Sequence, residues 1–100
     1  MNMNIWALKK DSPLKLLLLE LVQRYGEDVL ALNNVEQNFQ AIDIHLLNEP
    51  TLSAYIYTFG QTQGFYGIDL RYPIPTNNIV GESENLNLEQ TIGIITTHLF

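Results

Sequence analysis

The stretch SAYIYTFGQTQGFYGIDLRYP, Ser53 to Pro73, decides how this chain folds. Apolar residues alternate along both arms, and the glycine-bounded GQTQG between them is the pattern of two antiparallel strands joined by a hairpin loop. Ala54, Ile56, Ile68 and Leu70 fall on one side. The other side carries Tyr55, Tyr57, Phe59 and Phe65, where a half-solvated sheet would ordinarily show plain polar groups. Pairing Phe59 with Phe65 across the loop sets Tyr57 opposite Gly67, Tyr55 opposite Asp69 and Ser53 opposite Arg71.

Upstream, FQAIDIHLL (Phe39 to Leu47) alternates in the same way, and NEP reads as the turn that joins it to the hairpin. Ile42, Ile44 and Leu46 must share a face with Ala54 and Ile56, because a slip of one residue would turn the isoleucines outward. That requirement places Asp43 opposite Tyr55 and His45 opposite Ser53. Three rows then cross the outward face: Ala41, Tyr57, Gly67; Asp43, Tyr55, Asp69; His45, Ser53, Arg71.

Flanking segments supply the second layer. Ser12 before Pro13 reads as a helix start, a Ser cap with Pro at the first helical position. Leu14, Leu17, Leu18, Leu21, Val22 and Tyr25 keep the spacing of one buried helix face. Leu16 and Leu19 lie off it, so the apolar arc is wider than a one-sided surface helix needs. Either the helix is covered on two sides or part of it meets another subunit. Gly26 reads as a kink before a second short helical piece in EDVLAL, NNVEQN as a loop, and IWAL near the start as a strand or packed arm. PIP ends the third strand, and TNNIVGESEN reads as an irregular connector. In NLEQTIGIITTHLF the Asn87/Gln90 capping box and the spacing of Leu88, Ile92, Ile95 and Leu99 predict a helix, against its β-branched residues and Gly93.

The expected architecture is α+β: a two-layer sandwich over residues 1–100, a single domain. A three-stranded antiparallel meander carries an N-terminal and a C-terminal helix on one face. This order resembles that of the double-stranded-RNA-binding domain, and SPLKLLLLELVQRYG looks like its first helix. Such domains contact RNA with basic residues at the start of the last helix. Here that position reads ENLNLEQT, acidic and without lysine, so the RNA function does not carry over with the order.

Composition narrows the partners. The chain has 100 residues, 46% hydrophobic and 16% charged, which suits one folded core. Ten Asn and six Gln fill the place of missing charges, and a weakly charged surface favours self-association. Eleven acids against five bases give a net charge of −6, which argues against nucleic acid. The absence of cysteine excludes disulfides and thiolate chemistry and favours a cytoplasmic setting. Glu20 interrupts the leucine run and no small-x-small cleavage site follows, so the segment reads as a core helix rather than a signal peptide or membrane span.

The outward sheet face is the candidate functional surface: Asp43, His45, Ser53, Tyr55, Tyr57, Phe59, Phe65, Asp69 and Arg71. Aromatic rings with an arginine among them are the composition of protein interfaces and ligand sites. The leading expectation is a protein-interaction or homodimerisation module with no cofactor. The alternative is a small ligand-binding domain or minimal enzyme built on Asp43, His45, Tyr55, Asp69 and Arg71, whose acid–base vocabulary lacks an enclosing pocket on an open sheet. Asp43, His45 and Asp69 follow no metal-ligand spacing, and no metal is expected. GQTQG lacks the Lys and following helix of a phosphate loop.

Overall fold

In a computed structural model, which describes residues 4–33 and 35–100, the alternation seen in the central hairpin runs through a five-stranded antiparallel sheet. Its strands are β1 (Leu30–Leu32), β2 (Ala41–Leu46), β3 (Glu49–Tyr57), β4 (Tyr66–Arg71) and β5 (Ile79–Leu86), and they lie side by side in chain order. The helices are α1 (Ser12–Tyr25) and α2 (Leu88–Leu99). Leu14, Leu17, Leu18 and Leu21 of α1 and Ile92, Ile95 and Leu99 of α2 form one cluster with Ile42, Ile44, Ala54, Ile56, Tyr66 and Ile68 of the sheet. The α+β class therefore stands, and the three-stranded meander is corrected to five strands. The added strands also take the order away from the RNA-binding-domain arrangement it resembled.

Each added strand has a physical cause. EDVLAL continues as β1 instead of a helical piece because β2 offers it an unpaired edge: Leu30 pairs Leu46 and Leu32 pairs Ile44. That pairing buries Leu30 in the core, so tertiary contact overrides a local helical preference. The supposed connector after the prolines is β5, paired with β4 at Tyr66–Leu86, Ile68–Ser83 and Leu70–Ile79. The register slips twice along this pair. Gly81 at φ 73° and Asn85 at φ 50° adopt the left-handed backbone that such bulges favour. The NEP turn is also displaced. Leu47 and Asn48 make the turn, Leu46 pairs Glu49, and Glu49 and Pro50 belong to β3.

The leucine helix is covered on two sides by its own chain. Leu19, Val22 and Tyr25 pack partly buried against the core. The IWAL arm is a single 3-10 turn, Ile5–Ala7, with Ile5 buried beside α1; Met1–Met3 and Asn34 lie outside the described residues. On the other side Tyr25 bonds Thr96 of α2 at 2.6 Å and stacks on Phe100 at 4.0 Å. Of the helix's apolar residues, Leu16 alone is left largely exposed. Asp11 rather than Ser12 is the N-cap, and Pro13 is the second helical residue. The Asp11 carboxylate does not cap; it accepts from the Thr58 hydroxyl at 2.8 Å and so ties the helix start to the end of β3.

Helix α2 forms despite its β-branched residues. The capping box closes in both directions, Gln90 N–H to Asn87 at 2.8 Å and Asn87 N–H to Gln90 at 3.0 Å. The hydroxyls of Thr91 and Thr97 donate to the carbonyls four residues back. His98 in the last turn is half-buried with Nε2 2.8 Å from the Ser53 carbonyl oxygen, so it fastens α2 to β3.

Tyr66 links the layers through its hydroxyl, which donates to the Pro13 carbonyl at 2.7 Å. Burial, with Asp11 nearby, pushes its pKa up to about 12. An unfolded chain ionises this phenol at about pH 10. The folded state keeps it neutral, so its contribution is complete below that value and disappears as pH rises through about 12. The loss should be on the order of 2 kcal/mol. Urea denaturation across alkaline pH should show this slope, and Tyr66→Phe should flatten it.

Candidate functional site

The outward rows are those the alternation predicts: Ala41 pairs Tyr57, Asp43 pairs Tyr55 and His45 pairs Ser53, then Tyr57 pairs Gly67, Tyr55 pairs Asp69 and Ser53 pairs Arg71. The ladder between β3 and β4 stops at Tyr57 and Gly67. Phe59 and Phe65 therefore lie beyond the strand ends and are 40% and 37% exposed.

Along β3 and just past its end the rings of Tyr55, Tyr57 and Phe59 form a continuous row. Centroids are 6.0 Å apart in the first pair and 4.6 Å in the second, which is stacked at 21°. Tyr57 lies over Gly67: a methyl group added there would overlap Cε2 and Cζ of the ring. The ring thus shields backbone that no side chain of its own protects. It is only 6% exposed, and Ala41 beside it is fully buried. Burial is the first cause of the raised pKa values of Tyr55 and Tyr57. Glu36 is the next cause for Tyr55, while Asp69 and Glu84 act on Tyr57.

Asp43 is the buried charge of this face, 5% exposed. Its Oδ2 accepts from Arg71 Nη1 and from Asn33 Nδ2, both at 3.2 Å, while Oδ1 has no hydrogen-bond partner among the described residues. The Arg71 guanidinium sits 4.6 Å from the Tyr55 ring centroid, a cation–π contact. Arg71 is therefore held from two directions, by a carboxylate and by a ring face.

The acid–base vocabulary does not assemble into a relay. His45 Nδ1 lies 2.7 Å from the Leu46 carbonyl oxygen. Ser53 is buried and lends its carbonyl to His98. Asp69 accepts from the Gly81 N–H at 2.9 Å. Among the described residues no three His, Asp or Glu side chains are grouped to hold a metal ion, and no helix is long and apolar enough to cross a membrane. Of the nine candidates, Asp43, Ser53 and Tyr57 are buried supports. His45, Tyr55, Asp69 and Arg71 are half-exposed, and Phe59 and Phe65 are exposed.

Strand β5 adds residues that the alternation does not reveal. Val80, Gly81 and Glu84 join Tyr57, Phe59 and Asp69 around a shallow cleft of ≈ 270 Å³ on the outward face. Val80 is 65% exposed. A larger groove of ≈ 520 Å³ lies on the helix side, where Leu70, Tyr72 and Leu86 face Ile94 and His98 of α2. Among the described residues no carboxylate, lysine or arginine lines it, and its histidine is already bonded to β3.

Comparison of the chain with protein-family models, with curated proteins and with solved structures returned no match.

Proposed function

We propose that this protein is an interaction module that docks a partner protein on the outward face of its sheet. One observation carries the reading: both helices cover the same face, and the opposite face presents a row of rings with exposed Phe59 at its end and exposed Val80 in the adjoining cleft, while exposed Phe65 immediately precedes β4. Apolar side chains at the rim of a rigid aromatic row are suited to burial against another protein surface. The buried Tyr57 and Asp43 hold the row in place, while half-exposed Tyr55, Asp69 and Arg71 supply polar contacts. A cysteine-free chain suits work in the cytoplasm.

A photo-crosslinking residue in place of Phe65 or Val80 tests the reading in an extract of the producing cell. Discrete adducts from these two positions, and none from Gln23 on the exposed side of α1, are the expected result. Equal labelling from all three positions, or none from the sheet face, would remove the proposal. An adduct at twice the mass of the chain identifies a second copy as the partner.

A further inference from the structure

The proposal that follows rests on the docking role of the outward face and specifies what it recognises. At one end of the aromatic row a cation is already seated: Arg71 lies over Tyr55 and bonds Asp43. Farther along β3 the same ingredients recur without the cation. Tyr57 and Phe59 form an aromatic wall, Asp69 and Glu84 supply two carboxylates, and among the described residues no lysine, arginine or histidine lines the cleft between them.

Both carboxylates are oriented by their neighbours and keep acceptor capacity. Asp69 uses Oδ1 for the Gly81 N–H, and Glu84 uses Oε2 for the Gln61 side chain at 2.7 Å. Asp69 Oδ2 and Glu84 Oε1 make no hydrogen bond among the described residues. Exposed Val80 forms an apolar wall of the same cleft, suited to the methylene stem of a long basic side chain.

We propose that this cleft receives a lysine or arginine side chain from a basic segment of a partner protein. The stem lies against Val80 and Phe59, and the charged head meets the aromatic wall and the free oxygens of Asp69 and Glu84. Charge complementarity selects this occupant over a second copy. Paired through this same face, a second copy of net charge −6 would bring the same carboxylates to the interface, and like charges across an interface are disfavoured.

Nuclear magnetic resonance titration of the whole chain with acetyl-arginine amide and acetyl-lysine amide tests the seat, with acetyl-citrulline amide as the uncharged control of matching shape. Saturable shifts at the Gly81 amide and the Phe59 ring are expected for the cationic probes and not for citrulline, and they should weaken as salt is added. Glu84→Gln and Phe59→Leu, both at exposed positions, should each weaken the response by about fivefold. Equal response to citrulline amide, or unchanged binding in Glu84→Gln, would overturn the proposal. No response to the cationic probes while Phe65 and Val80 still crosslink removes the cation seat and leaves the docking face. Response without crosslinks removes the docking face instead. A crosslinked partner that proves to be a second copy overturns the choice of a basic partner.

Discussion

Arg71→Met is expected to cost the fold about 3 kcal/mol, more than most changes at a half-exposed position. The reason lies in its partner. Asp43 is buried, its Oδ1 has no partner among the described residues, and Oδ2 relies on Arg71 and Asn33. Removing the guanidinium leaves a carboxylate in low dielectric with a single amide donor, and an uncompensated buried charge is costly. The reverse change should be milder. Asp43→Ala frees an arginine that is already 42% exposed on its side chain and can turn to water. The double variant should be no less stable than Asp43→Ala alone. Chemical denaturation of the three variants checks this order; equal losses in both single variants would show that Asp43 is not the vulnerable member.

Gly67→Ala should be comparably damaging, at about 3 kcal/mol, because the new methyl group would overlap the Tyr57 ring. The ring is not free to swing aside, with Tyr55 at one side and Phe59 stacked at the other. The same geometry makes the effect conditional. In a Tyr57→Ala background the overlap disappears, and Gly67→Ala should be neutral or slightly stabilising, since alanine suits an extended backbone better than glycine does. Thermal melts of the four-member cycle measure this coupling. Additive losses would place the cost in the backbone of β4 and not in the ring.

Much of the sheet was legible because parity and loop chemistry act together. The glycine-bounded loop fixes how the two arms of the hairpin meet, and the isoleucines allow a single phase for β2, so every central row could be written from residue types. Leu30-Ala31-Leu32 is too short to display a period of two, and its strand exists only because β2 has a free edge. In β5 the alternation is erased by the slips around Gly81 and Asn85, and with it went Val80 and Glu84 of the cleft. Burial on the outward face was hidden for a different reason. Parity tells which way Tyr57 and Asp43 point, but their neighbours' rings and donors decide whether water reaches them. The bond from His98 to Ser53 depends on where α2 ends above β3, which no local pattern encodes.

The two outer margins of the sheet are poor templates for further main-chain pairing. At one margin stands a strand of three residues; at the other, the twice-bulged β5 interrupts its own line of donors and acceptors. Such margins deter both fibril growth and the addition of a foreign strand. Whatever binds this protein must therefore be chosen by its side chains, and a peptide lacking the right ones gains little merely by being extended.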